Sequence, residues 1–178
     1  PEQHLWGIRN YFKSPFYQSH SAHYVSEIGY HGCPNSDSIR KFISPAQVWP
    51  GPLGWQNNPE WHTHDVYHWN PPPAGVDGQQ RDRIQLMADQ IKELFGSVPT
   101  TLEDFVLASQ ISQAEAKKFF IESTRARKWA TSGVLWWNVI DGWPQFSDAV
   151  VDYYYGKKLA YHYIWRAQRP LLLMIGEP

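Results

Sequence analysis

The chain predicts an α/β fold built on a parallel sheet. Two patterns carry this. Apolar, aromatic-rich runs of strand length alternate with stretches of helical periodicity, and strands separated by helices join as βα units in a parallel sheet. The run Val134-Leu135-Trp136-Trp137-Asn138 is also continuously apolar rather than alternating, as in a parallel strand covered on both faces. Three strands would leave two open edges beside apolar faces, so the sheet is expected to be part of a larger one.

Residues 4–8 read as a first strand or its C-terminal end. Residues 11–21, rich in Ser, Tyr and Phe, form a loop with a short helix. The second strand covers 22–28 and carries an unexpected acid. Glu27 stands in the run His23-Tyr24-Val25-Ser26-Glu27-Ile28-Gly29-Tyr30-His31-Gly32, and a carboxylate in an apolar strand needs hydrogen-bond partners or a cavity. Ser36 or Asp37 caps a short helix through Phe42 and Ile43, stopped by Pro45.

From 44 to 77 prolines and four tryptophans, Trp49, Trp55, Trp61 and Trp69, interrupt every periodicity. So long an irregular stretch is usually functional or disordered, and its aromatic content argues against disorder. It reads as an ordered excursion packed on the surface or over a site. In the helix over 81–95, Ile84, Met87, Ile91 and Leu94 share one face, and Gly96 closes the end. Thr100-Thr101-Leu102-Glu103 is a capping-box pattern opening a long helix to about Trp129, and Thr131-Ser132-Gly133 breaks it. The charges of Arg81, Asp82, Arg83, Lys92, Glu93, Lys117 and Lys118 read as solvated helix faces. After the third strand and a turn at Asp141-Gly142-Trp143-Pro144, a last helix spans 158–168 and Pro170 ends it. Residues 171–175 read as a strand that starts something further, and the missing initiator Met suggests a chain cut from a longer one.

A net charge of −1 over 178 residues gives no reason to expect a nucleic acid or an anionic membrane surface as partner. No apolar run approaches the roughly 18 residues of a membrane span. Cys33 is the single cysteine, so no internal disulfide forms and cysteine usage assigns no compartment. His62, His64, His68 and Asp65 form a loose His-x-His-x₃-His group with no supporting cysteine, so neither a metal nor another cofactor is expected. The composition is unusual in its aromatic content of 16%, with ten Trp and ten Tyr, whose flat faces and polar edges suit sugar rings as well as cores.

Catalytic groups in parallel α/β architectures sit at the C-terminal ends of strands. That rule gathers His4 and Trp6 from the first strand, Glu27 from the second, and Trp137, Asn138, Asp141 and Trp143 from the third and its following turn. One carboxylate among flat rings and hydrogen-bonding side chains fits a sugar-cleaving site: the rings stack on the pyranose face while the carboxylate attacks, or stabilises charge at, the anomeric carbon. Adjacent strand residues face opposite ways, so one of Trp136 and Trp137 packs outward and the other lines the site. Arg9, His20, His23 and His31 either rim that site or serve the loops and core.

The segment Tyr24-Val25-Ser26-Glu27-Ile28-Gly29-Tyr30-His31-Gly32-Cys33-Pro34 resembles the nucleophile segment of glycoside hydrolase family 2, in its β-mannosidase-like branch. Gly133-Val134-Leu135-Trp136-Trp137-Asn138-Val139-Ile140-Asp141-Gly142-Trp143-Pro144 is similar to that family's last barrel strand. Val151-Asp152-Tyr153-Tyr154-Tyr155-Gly156-Lys157-Lys158 is similar to the approach to its final helix. The resemblance covers essentially the whole chain. It implies the C-terminal portion of a (β/α)8 TIM barrel, about strands 6 to 8 with their helices, occupying 1–170 and including the Trp/Pro-rich excursion. Residues 171–178 would begin a following β-domain or linker.

The resemblance further implies a retaining exo-β-glycosidase acting on a carbohydrate substrate, most like a β-mannosidase, with β-galactosidase, β-glucuronidase and β-glucosaminidase open. Glu27 would be the nucleophile, and the motif register selects Trp137 as the floor of the sugar subsite. Retaining cleavage needs a second carboxyl about 5–5.5 Å from the first. In the family that acid/base follows an Asn on the fourth strand, and this chain contains no Asn-Glu pair. The chain alone is therefore expected to be inactive, its partners being the rest of the barrel and accessory β-domains. The alternative is a non-catalytic, Trp-rich carbohydrate-binding or interaction module in which Trp55 and Trp61 make the contacts and Glu27 is dispensable.

Overall fold

Parallel pairing joins three strands in chain order, β1 (Glu2–Leu5), β2 (Tyr24–Gly29) and β3 (Gly133–Trp137). This computed structural model describes residues 1–7, 9, 11–49, 58–65 and 83–175. Helix α1 (Pro15–Gln18) lies between β1 and β2. Helices α2 (Ser36–Ile39), α3 (Pro59–Thr63), α4 (Arg83–Phe95) and α5 (Leu102–Ala126) lie between β2 and β3, and α6 (Leu159–Ala167) follows. The α/β class and the parallel sheet are as the sequence predicts.

Helix α5 organises the packing because its small and aromatic residues fit beneath the sheet. Ala116 and Phe120 join Leu5, Val25, Ile28 and Tyr30, with Phe12 and Tyr17 from the β1–β2 connection. Ala114 and Ile121 meet Ala160, Ile164 and Ala167 of α6. On α4, Ile84, Met87 and Ile91 are buried on one face, and Gly96 ends the helix at φ +81°, a left-handed conformation that costs glycine little. The cap of α5 is Thr101, whose hydroxyl oxygen accepts from Asp104 N at 3.2 Å, so the capping pair is Thr101 with Asp104. Glu103 instead pairs with Arg40. Asn35 occupies the N-cap of α2, one residue ahead of the predicted Ser36.

Four expectations need correction. Within the described part of the excursion, Trp61 is core rather than ligand-facing: it is 0% exposed, stacks on Phe146 at 4.5 Å and 16°, and contacts Trp49 and Phe105, while Pro45, Ala46, Pro59 and Thr63 stay exposed. Burial of so much ring area holds this irregular backbone in place. Trp55, Trp69 and His68 lie outside the described residues. Among the described residues strand β3 is covered on one face only, since Val134 and Trp136 pack against the helices while Leu135 and Trp137 alternate onto an open face. Arg83 and Lys117 are buried rather than solvated. Residues 171–175 form no strand, and Leu171, Leu173 and Ile175 are exposed. A strand is made by its hydrogen-bonding neighbour, and among the described residues none runs beside this segment. No helix among them is long and apolar enough to cross a membrane.

Candidate active site

Strict alternation along β2 would put Glu27 on the same face as Val25, towards the helices. A β-bulge prevents this. Against β1, Val25 pairs with Gln3 and Glu27 with His4, so Ser26 has no opposite number. Against β3, Val25 pairs with Val134 and Ile28 with Trp136, again one residue longer on β2. Val25 and Ile28 therefore both stay buried, at 1% and 2% exposure, and the Glu27 side chain turns to the open face at 30%. An extra strand residue that re-aims a side chain is a recurrent device next to active sites.

Three of the expected site residues meet there. Trp6 Nε1 donates to Glu27 Oε1 at 2.6 Å, and His4 Nδ1 lies 3.7 Å from Glu27 Oε2. The Trp6 ring is backed by the buried Arg9 guanidinium, 4.9 Å from its centroid. Trp137 pairs with Gly29, two residues beyond Glu27, and its indole is 50% exposed on the open face. The Trp137–Asn138 peptide bond is cis.

Gly29 makes room for this arrangement. A Cβ at that position would lie 2.3 Å from Trp6 Cη2 and 2.8 Å from Asp148 Oδ1. Gly29→Ala is therefore expected to push the indole off Glu27 and to destabilise the protein by about 1–3 kcal/mol, the usual cost of overpacking. Loss of the downfield Trp6 indole N–H resonance, together with a lowered urea midpoint, would show it; an unmoved resonance would refute it.

The other expected residues are placed elsewhere. Asp141 is buried, and its Oδ1 accepts from Ser147 Oγ at 2.5 Å and Gln145 Nε2 at 2.7 Å, so it ties down the loop after β3. Burial pushes its carboxyl above the ordinary value, opposed by Lys158 and by those hydrogen bonds. Asn138 Nδ2 donates to Ile140 O at 3.5 Å. Trp143 stacks on His64 at 5.7 Å and 27°, and His64 Nδ1 donates to Pro144 O at 2.6 Å. Asp65 Oδ2 accepts from Arg83 N, and among the described residues no His, Cys, Asp and Glu cluster suits a metal ion. His20 pairs with Arg127, and His23 lies at the opposite end of β2.

A buried charge cluster behind the site escaped the sequence reading. Asp148 Oδ2 lies 3.0 Å from His31 Nδ1, and both residues are buried. Burial alone would raise the Asp148 carboxyl, but His31, Arg9 and Lys117 outweigh it and hold the group at about 2. Lys158, fully buried, donates to Gly32 O at 2.6 Å and thereby fastens the loop after β2 to this cluster.

No family model matches the chain. It is similar to β-mannosidase B of Aspergillus niger, 23% identical over 176 residues, which is 96% of this chain and 18% of that protein. It is likewise similar to β-mannosidase B of Emericella nidulans, 23% identical over 178 residues, covering 97% and 19%. Among solved structures, the β-D-mannosidase of Dictyoglomus thermophilum aligns with a TM-score of 0.74 at 26% identity, over 94% of this chain and 18% of that one. The chain is related to glycoside hydrolases. It spans about a fifth of the length of these curated relatives.

Proposed function

We propose that this chain is the C-terminal part of the (β/α)8 barrel of a retaining exo-β-glycosidase of glycoside hydrolase family 2, most like a β-mannosidase. Strands β1, β2 and β3 then supply strands six to eight, and Glu27 is the nucleophile. The observation that carries the reading is the bulge at Ser26. It sets Glu27 on the open face beside His4 and Trp6, with the Trp137 indole exposed on the same side. Strand β3 is last in the sheet order and has no partner strand on its outer side among the described residues, which supports further strands pairing there.

The chemistry follows from the contacts. The Trp6 N–H fixes Oε1, which leaves Oε2 to attack the anomeric carbon. As the new C–O bond forms, the glycosidic bond breaks, and the leaving oxygen takes its proton from an acid/base outside these 178 residues. Water, deprotonated by the same group, then attacks the anomeric carbon and releases Glu27 as carboxylate. Trp137 stacks on the sugar ring as its floor. The alternative of a carbohydrate-binding module finds no support at Trp61, which is completely buried in the core.

The test uses the intact protein that carries the chain. A panel of nitrophenyl β-glycosides identifies the sugar, and the matching 2-deoxy-2-fluoro glycoside is expected to inactivate the enzyme and to appear on the Glu27 peptide by mass spectrometry. Label on any other carboxylate would end the assignment.

A further inference from the structure

Lys117 lies in the middle of α5 and is 0% exposed. Its Nζ donates to the carbonyl oxygen of Trp137 and lies 5.3 Å from the Trp136 ring centroid. An ammonium beneath a sheet is costly unless it is paired, and Met or Leu would fill the same length without that cost. The carbonyl it holds belongs to the residue whose indole stands on the open face. The next residues are fixed from another direction, Asn138 O by Val150 N at 3.2 Å and Val139 O by Val151 N at 2.9 Å. The end of β3 is therefore gripped from α5 at the residue whose side chain is exposed, and from the loop before α6 just beyond it.

We propose that Lys117 is a positioning residue for the sugar subsite: by gripping the Trp137 carbonyl from beneath the sheet, its ammonium sets the attitude of the Trp137 indole on the other side. This rests on the reading of Trp137 as the floor of that subsite. Burial pushes Lys117 down to about 7, with Asp148 opposing the shift and Lys158 adding to it. His31 and Arg9 face the same Asp148 carboxylate and so compete for it. Below neutrality the grip is a charge-assisted hydrogen bond; above it the neutral amine donates more weakly. Sugar affinity therefore falls as pH rises through about 7.

The test labels the intact protein with fluorotryptophan and assigns the Trp137 fluorine resonance with Trp137→Phe. In the wild type this resonance is expected to titrate near neutral pH and to move when the monosaccharide released from the active nitrophenyl glycoside is added. Lys117→Met is expected to abolish the titration and to raise KM about tenfold with kcat changed far less, the fold-change of one lost charged hydrogen bond. Lys117→Gln keeps a donor without a charge, and is expected to bring KM back to within about threefold while the resonance stays flat with pH.

A Lys117→Met protein that melts lower but keeps the wild-type resonance and KM would overturn the proposal, because a merely structural lysine would behave so. Should Lys117→Met fail to fold, a Lys117→Gln resonance that still titrates near neutral would overturn it equally. If added monosaccharide leaves the wild-type Trp137 resonance unmoved, the subsite reading fails and this proposal with it. A sugar-induced shift with no Lys117 effect overturns the positioning role alone.

Discussion

Glu27→Gln is expected to lower turnover of the intact protein by about 10⁴-fold or more, the scale on which enzymes lose a covalent nucleophile. The substitution is chosen for what it keeps. Glutamine has the same shape, and its amide oxygen still accepts the Trp6 N–H that Glu27 Oε1 accepts at 2.6 Å, so the bulge and the indole stay in place. What it removes is the oxygen that forms the bond to the anomeric carbon. Stability should change little, because Glu27 is partly exposed and carries no buried cation of its own. Substrate binding should survive, so a fluorescence titration with the matching glycoside would report near wild-type affinity alongside the lost rate. A variant retaining a tenth of the wild-type kcat would show that Glu27 does not attack the sugar.

Glu27 was legible because an acid in an aromatic strand contradicts its surroundings. The device that aims it was not. The Ser26 bulge exists only relative to the registers of β1 and β3, and nothing in Val25-Ser26-Glu27-Ile28 says that the strand will slip by one residue against both neighbours. The continuous apolar run of the third strand predicts the strand but also double coverage, whereas one face is filled by α5 and α6 and the other lies open. The charge cluster failed for a different reason. Lys117 sits beside Lys118, and a pair of lysines reads as part of a solvated face. Yet it stands three residues after Ala114 and four before Ile121, both buried, which puts it on the inward stripe of the helix. The polar character of that stripe, with Ser109, Gln110, Ser112 and Gln113 also buried, masks the 3.6-residue signal. Asp148 and His31 lie in loops, where no periodicity speaks for burial.

Asp148→Ala should be the most destabilising single change in this part of the molecule. The carboxylate is buried against His31 at 3.0 Å and favours the charged forms of both His31 and Lys117; removing it leaves those groups in a low-dielectric interior without their anion. Breaking a buried charge cluster this way costs about 3–5 kcal/mol. The pH dependence follows from the two pKa shifts. Asp148 is held at about 2, below its ordinary 3.8, so its contribution is fully present above pH 3.8 and is lost as pH falls through about 2. Lys117 works in the opposite sense. Its pKa is lowered from 10.5 to about 7, so between these values the unfolded chain binds the extra proton and stability rises with pH. In Asp148→Ala, Lys117 loses the carboxylate that raises its pKa, and the rising limb should begin at lower pH than in the wild type. Urea unfolding of both proteins from pH 5 to 10 separates the effects. Equal midpoints across that range would mean that the cations do not depend on Asp148, and the cluster behind the site would then have to be held by hydrogen bonds to backbone carbonyls such as those of Gly32 and Trp137.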